Sequence, residues 1–98
     1  MSKQIIWTIK AQTEIIAIFQ YWNERTGSYR FSERLNKLIE EELRLLSKFP
    51  SIGRITDVSN VWVKIIQEYL LYYEFNEENI YVLTIRHQKR NPNTRSLK

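Results

Sequence analysis

The sequence predicts an α+β fold, in which an antiparallel two-helix hairpin packs on an antiparallel β-sheet with the element order β-α-α-β-β-β. Between Thr8 and Pro50, apolar residues recur at steps of three and four, which is typical of amphipathic helices. After Pro50 the chain changes to short runs of β-branched and aromatic residues, which are typical of strands. Hydrophobic residues make up 43% of the 98 residues, enough to bury a core, so one domain over residues 1–98 is predicted.

The first half of the chain predicts a strand followed by the helical hairpin. Gln4–Trp7 contains two isoleucines and a tryptophan and is predicted to form a first strand at an edge of the sheet. Thr8 is suited to cap the first helix, and Gly27 can adopt the left-handed conformation that ends it. Ser28 is predicted to cap the second helix and Pro50 to end it. The predicted apolar faces consist of Ala11, Ile15, Ile18, Phe19 and Trp22 on the first helix and Phe31, Leu35, Leu38, Ile39, Leu43 and Leu46 on the second.

The second half of the chain predicts a meander of antiparallel strands. The three strands are Val61–Ile66, Tyr69–Phe75 and Ile80–Arg86, and polar turns separate them. Ile55 and Val58 indicate a further short strand before the meander. The side chains predicted to be buried between hairpin and sheet are Trp7, Trp22 and Leu35. Successive strand side chains fill a buried face, so core packing is favoured over base stacking for the aromatic residues Tyr69, Tyr72, Tyr73, Tyr81 and Trp62.

The composition excludes several kinds of site. Without cysteine the chain has no disulfide framework, zinc finger or cysteine nucleophile. A single histidine, His87, excludes a metal site with several imidazoles, and Gly27 and Gly53 stand too far apart to form a phosphate-binding glycine loop. No apolar run approaches the roughly 20 residues that span a bilayer, and the amino terminus lacks a signal-peptide core. A small, soluble, cytoplasmic protein is therefore predicted, with no cofactor, no metal and no membrane partner.

Positive charge is concentrated at the carboxy-terminal end. The net charge is +4, and residues 86–98 contain five basic residues and no acid, so residues 1–85 carry a small negative net charge. Such an end suits an anionic partner, either a nucleic acid or an acidic protein segment, whereas the alternative is a solvated tail that binds nothing. Asn91-Pro92-Asn93 predicts a flexible basic tail over about residues 91–98. The ordered part of the predicted basic patch is then Arg86, His87, Lys89 and Arg90.

Four segments carry motifs that are specific when their order and spacing are taken together. They are Ile6–Thr8 followed by Ala11, the segment Phe49–Arg54 that reads Phe-Pro-Ser-Ile-Gly-Arg, the segment Glu68–Glu74, and the segment Ile85–Pro92. These resemble the opening strand and cap, the Pro-x-x-Gly-Arg turn, the Tyr-x-Ile-x-Tyr strand and the basic closing strand of the RelE/ParE superfamily of bacterial toxins. The resemblance runs nearly from end to end of the chain.

The resemblance implies a toxin of a type II toxin–antitoxin pair, which inhibits growth and is neutralised by a cognate antitoxin in a hetero-oligomer. RelE-like members of the superfamily enter the ribosomal A site and cut mRNA, whereas ParE-like members poison DNA gyrase and are not known as nucleases. The family's nucleases often have an arginine just after the tyrosine that starts the middle strand, where this chain has Leu70. Leucine can neither neutralise a phosphate nor transfer a proton, so gyrase is the predicted target. The alternatives are a ribosome-dependent mRNA endonuclease that uses no metal and a degenerate relative that only binds its partner.

If the chain is a nuclease, its catalytic residues are predicted to be His87, Arg86 and Lys64, at positions that resemble those used by family nucleases. Cleavage through the 2′-hydroxyl needs a base, an acid and cations for the phosphate, and an imidazole can act as acid or base near neutral pH. The alternative for Lys64 is a solvent-facing position in an amphipathic strand, which alternation favours. The alternative for His87 is a surface imidazole with no catalytic task.

Two sets of residues are predicted to bind protein or nucleic-acid partners. Arg54, Lys89 and Arg90 are the predicted target-binding residues, although Arg54 could serve only its own turn and the others could pair with an acidic antitoxin. Two helices over a small sheet are expected to leave an apolar groove for the antitoxin. The residues predicted to line that groove are Ile16, Phe19 and Leu43.

Overall fold

The computed structural model describes residues 2–89, which contain two helices packed on a five-stranded sheet and confirm the α+β class. Arg90 and the predicted basic tail lie outside the described residues. Neither helix within residues 2–89 has a segment long and apolar enough to cross a membrane. The elements are β1 (Gln4–Trp7), α1 (Ile9–Thr26), α2 (Arg30–Lys48), a 3-10 turn (Pro50–Ile52), β2 (Arg54–Ile55), β3 (Trp62–Ile66), β4 (Tyr69–Phe75) and β5 (Asn79–His87).

The sheet has the strand order β1-β5-β4-β3-β2. The strands β3, β4 and β5 form the predicted antiparallel meander, and β1 lies at an edge, as expected from the sequence. The pairing of β1 with β5 is parallel, so the sheet is mostly antiparallel and not wholly antiparallel as predicted from the sequence. Of the predicted extra strand, Ile55 belongs to β2, whereas Val58 lies in the loop that follows.

The helix ends follow the local chemistry of the sequence. The Thr8 hydroxyl caps α1 by accepting from the Ala11 N–H at 3.1 Å. Gly27 ends α1 with φ 67°, a left-handed conformation that glycine adopts without steric cost. The prediction that Ser28 is the N-cap of α2 is wrong by one position: the cap residue is Tyr29, and the Ser28 hydroxyl accepts from the Arg30 N–H at 3.1 Å. The helix α2 ends at Lys48, two residues before the proline that terminates it.

The core lies between the helical hairpin and one face of the sheet. Leu35 is buried there as predicted, with 2% of its surface exposed. Trp7 is only half-buried, and it packs on the edge of the core. Trp22, predicted to be buried between hairpin and sheet, is also only half-buried. Its indole N–H needs an acceptor, and it finds the Tyr69 hydroxyl at 2.7 Å, at the wall of a cavity where the side chain stays half-buried.

The Pro-Ser-Ile-Gly-Arg turn is tied to the centre of the sheet by Tyr73, whose hydroxyl donates to the Pro50 carbonyl at 2.6 Å. A Cβ atom at Gly53 would collide with the Tyr73 hydroxyl and lie 2.8 Å from the Val63 carbonyl oxygen, so only glycine fits. Burial raises the pKa of Tyr73 to about 12, an effect that the Gly53 amide partly opposes. The motif therefore has a structural reason, which is close approach of the turn to a buried tyrosine.

Candidate functional site

Beyond the end of β1, the edge of β5 is covered by the helix α1 and not by a strand of the described residues. The last residue pair between β1 and β5 is Trp7 with Val82, so within residues 2–89 the backbone of β5 beyond that point lacks a strand partner on this side. The Thr8 hydroxyl donates to the Leu83 carbonyl at 3.0 Å, and a carboxylate oxygen of Glu14 accepts from the Thr84 hydroxyl and from the Ile85 N–H. These contacts fix α1 beside the carboxy-terminal end of β5.

A cavity of about 580 Å³ lies between α1 and the ends of β4 and β5. We call it the aromatic cavity. Its most buried lining residues are Tyr69, Ile85 and Arg86, whereas Arg25 and Lys89 are exposed at its rim. The complete lining is Glu14, Ala17, Ile18, Tyr21, Trp22, Arg25, Glu68, Tyr69, Ile85, Arg86, His87 and Lys89.

Both ring nitrogens of His87 are engaged in hydrogen bonds. Nδ1 accepts from the Lys89 backbone N–H at 3.2 Å, which assigns the ring proton to Nε2. Nε2 lies 3.2 Å from a carboxylate oxygen of Glu68 and donates to it. The ring packs edge-on against Tyr69, and 23% of the side chain is exposed. His87 is therefore held in one orientation.

Arg86 is buried, which corrects its prediction as part of an exposed basic patch. Only 6% of its surface is exposed, its Nε donates to the Thr84 hydroxyl at 3.3 Å, and its guanidinium lies over the Tyr72 ring. Strand neighbours point to opposite faces, so the side chains of Arg86 and His87 diverge. Leu70 is the register partner of Arg86 on β4 and packs among apolar side chains of the outer face of the sheet.

Lys64 does not join the other two predicted catalytic residues. It lies on β3, with β4 between it and β5, and it is not among the residues that line the aromatic cavity. Alternation along β3 places Lys64 on the helix-covered face with Trp62 and Ile66, so the solvent-facing alternative is also wrong. Its ammonium lies 3.7 Å from a carboxylate oxygen of Glu42 on α2, and both side chains are about three-quarters buried.

The predicted target-binding residues do not form one patch in the described part of the chain. Arg54 is exposed on β2, which is the edge strand farthest from β1. Lys89 follows β5, three strand positions away, which corresponds to about 14 Å at the usual strand spacing. Arg90 lies outside the described residues, so its position relative to the other two stays a prediction.

The predicted antitoxin-binding residues lie together. A groove of about 420 Å³ runs between α1 and α2, and Ile16, Phe19 and Leu43 all line it. We call it the helix groove. Leu43 is buried in it, whereas 54% of Ile16 is exposed. The other lining residues are Trp7, Gln12, Ile15, Asn36, Ile39 and Glu40.

The sequence analysis missed the helical side of the aromatic cavity. Tyr21 and Arg25 on α1 were not predicted as site residues, and neither was Glu14, which is charged and so does not belong to the apolar stripe of the helix. A usable signal was present, because apolar residues of α1 are not confined to one stripe: Ile16 and Tyr21 fall outside it. A helix with apolar residues on two flanks has two surfaces to cover. Within residues 2–89 no group of three or more acidic or histidine side chains is placed to hold a metal ion.

Comparison with known proteins assigns this fold to a family. A solved structure described as the chromosomal ParDE toxin–antitoxin system from P. aeruginosa is similar to this chain with a TM-score of 0.74 and 19% identity. The match covers 88% of this chain and 96% of that chain, and it supports the fold. No match is found among curated protein sequences. The family model for the ParE toxin of the type II toxin–antitoxin system parDE matches residues 5–92. The chain therefore belongs to the ParE toxin family of type II toxin–antitoxin systems.

Proposed function

We propose that this ParE-family toxin inhibits growth by poisoning DNA gyrase, and that a cognate antitoxin holds it inactive in the cytoplasm. Family membership supports the toxin assignment, and the similar P. aeruginosa structure is described as a toxin–antitoxin system. The choice of gyrase over mRNA is supported by one observation, which is that the candidate nuclease residues do not form one exposed site: Lys64 lies apart from Arg86 and His87, and Arg86 is buried.

Cleavage of RNA through its 2′-hydroxyl needs a base, an acid and cations that face the same phosphate. His87 has both nitrogens engaged, and the guanidinium of Arg86 is buried beside Thr84. Lys64 is two strands from β5 and paired with Glu42. Leu70 occupies the strand position at which the family's nucleases often have an arginine. This arrangement favours a toxin that acts by binding a protein.

The helix groove is the proposed antitoxin site. Its apolar residues Ile16, Phe19 and Leu43 suit the apolar side of an amphipathic segment, which would place anchors into the groove at helical spacing. The exposed half of Ile16 gives such a segment apolar surface to bury in the complex. The pair would form a toxin–antitoxin hetero-oligomer.

Lys89, Arg54 and Arg90 are the proposed contacts with the target. Lys89 and Arg54 are exposed, but their separation across the sheet means that one small partner surface would not meet both. Lys89 is the stronger candidate of the two because it stands beside a concave surface.

The proposal is tested by inducing the wild-type protein and His87→Ala in cells, with mRNA ends and gyrase–DNA cleavage complexes measured in parallel. We expect both proteins to stop growth and to trap gyrase on DNA without new mRNA ends. Lys89→Glu should weaken inhibition, whereas Lys48→Glu, at the end of α2, serves as the matched charge reversal. Codon-associated mRNA cleavage by the wild type that disappears in His87→Ala would establish the endonuclease instead.

A further inference from the structure

The aromatic cavity has the properties of a binding site of its own, which shares no residue with the helix groove and shares only Lys89 with the proposed gyrase contacts. Its volume of about 580 Å³ lies within the usual range of ligand pockets, which is about 300–1,000 Å³. Aromatic rings of Tyr21, Trp22 and Tyr69 border it, and Trp22 meets Tyr21 edge to face. It lies on the flank of α1 that faces β5, whereas the helix groove lies on the flank that faces α2.

The Tyr69 hydroxyl, at the floor of the aromatic cavity, is a hydrogen-bond donor without an acceptor in the described part of the chain. Tyr69 is 4% exposed, and its hydroxyl oxygen accepts from the Trp22 indole N–H at 2.7 Å. The phenolic proton of Tyr69 has no acceptor within residues 2–89. A buried hydroxyl that keeps a free proton gains a hydrogen bond if a ligand brings an acceptor.

The rim of the aromatic cavity carries positive charge that is not neutralised. Neither Arg25 nor Lys89 has an ion-pair partner in the described part of the chain, and Arg25 only stacks over the ring of Tyr21. Two acids also line the cavity, where Glu68 accepts from His87 and Glu14 accepts from the β5 edge, and the basic lining residues exceed them by one. The basic lining residues are Arg25, Arg86 and Lys89. The rim therefore attracts negative charge, while the floor is aromatic and offers a donor.

We propose that the aromatic cavity binds an aromatic side chain of a partner protein, with acidic residues on either side of it in the partner's sequence. The ring would enter the cavity beside the hydrogen-bonded pair of Trp22 and Tyr69, and a phenolic oxygen at its tip would accept from the Tyr69 hydroxyl. The flanking carboxylates would meet Arg25 and Lys89 at the rim. Tyrosine between acidic residues meets all three requirements. This inference goes beyond the proposed function, because it needs neither the antitoxin nor gyrase as the partner.

The test uses the full chain labelled with 15N, in which the three tryptophans give three separate indole N–H resonances. Trp22→Phe assigns the Trp22 resonance, which reports directly on the bond to Tyr69. The probe is the peptide acetyl-Glu-Asp-Tyr-Asp-Glu-amide, with one control in which alanine replaces tyrosine and one in which lysines replace the acids. We expect the first peptide to shift the Trp22 resonance and to bind at least about tenfold more tightly than either control.

Two variants separate specific binding from general attraction to a basic protein. Lys89→Gln should weaken the acidic tyrosine peptide about fivefold, whereas Lys48→Gln, which removes the same charge far from the cavity, should leave binding unchanged. Equal binding of the tyrosine and alanine peptides would overturn the proposal. Equal shifts at Trp22 and at Trp7, which lines the helix groove, would also overturn it.

Discussion

The two flanks of α1 build two hollows of different chemistry. The helix groove has an apolar floor, and the residues at its edge are mostly uncharged, with Gln12 and Asn36 beside Glu40. The aromatic cavity has tyrosine and tryptophan walls and a charged rim. At about 100° per residue, Ile16 and Ile18 project about 200° apart around the helix. Ile16 therefore lines the helix groove while Ile18, on the same helix, lines the aromatic cavity. We therefore expect apolar area to dominate binding at the helix groove, and charge and hydrogen bonding to select a partner at the aromatic cavity.

The largest expected effect is on the helix groove. Ile16→Glu should weaken antitoxin binding by about 3–5 kcal/mol, because it removes apolar burial and places a carboxylate without a partner in the interface. Ile9→Glu is the matched control, since Ile9 is on the same helix, is 82% exposed and does not line the groove. Isothermal titration of the purified proteins measures both. Equal losses for the two variants would mean that the groove is not the antitoxin site.

Substitution of the two glycines compares the stability of two turns. Gly53 lies in the turn that packs against the sheet, and Gly27 lies in the link between the two helices. Gly53→Ala should lower the free energy of unfolding by about 3 kcal/mol, because the new Cβ displaces Tyr73 and meets the Val63 carbonyl. Gly27→Ala should cost only about 1 kcal/mol, since it is strained by its φ of 67° but has open space around it. Urea denaturation measures both values. A Gly53 variant as stable as the Gly27 variant would show that the turn moves freely away from the sheet.

The pH dependence of stability tests the same link between turn and sheet. The raised pKa of Tyr73 means that the unfolded chain loses this proton near pH 10, whereas the folded chain keeps it up to about pH 12. Stability is therefore complete below about pH 10 and falls above it, by about 2.5 kcal/mol as the pH approaches 12. Tyr73→Phe should lack this part of the decline in urea denaturation. Parallel pH profiles for the variant and the wild type would contradict the buried position of the hydroxyl.

The smallest expected effect concerns the tryptophans of the two hollows. Trp22→Phe keeps the ring contact with Phe31 but loses the hydrogen bond to Tyr69, so it should cost about 1 kcal/mol more than Trp7→Phe. The Trp7 indole nitrogen has no hydrogen-bond partner within residues 2–89, which makes it the control. Thermal melts compare the two variants. Identical losses would show that the Trp22 bond contributes nothing to stability.

The residues of the helix groove could be predicted from the sequence, whereas the aromatic cavity could not, and the difference has a physical reason. Ile16, Phe19 and Leu43 lie on two consecutive helices, and a hairpin with short connections brings their flanks together. The aromatic cavity instead joins Trp22 to Tyr69, which is 47 positions away along the chain. Periodicity assigns Trp22 and Tyr69 each to an apolar face. It does not show that the pairing of β1 with β5 ends at Trp7, which leaves space for a cavity beside the end of β5.

For the candidate nuclease residues too, the sequence does not determine which side chains meet in the fold. His87 and Arg86 were predicted as a catalytic pair because their positions at the end of the last strand resemble those of family nucleases, yet strand alternation directs their side chains to opposite faces. The burial of Arg86 depends on Thr84 and Tyr72, which meet it only through the register of β4 with β5. The strands themselves could be predicted from β-branched and aromatic runs, but side-chain partners across strands depend on register that the sequence does not state.

The measurement that tests the separation of the two hollows most directly is the response of two indole N–H resonances to the antitoxin. Trp7 lines the helix groove and Trp22 lines the aromatic cavity, so each reports on one flank of α1. The 15N-labelled toxin is titrated with its purified cognate antitoxin. We expect the Trp7 resonance to shift to a saturated position while the Trp22 resonance stays in place. A saturating shift of Trp22 with Trp7 unchanged would contradict it.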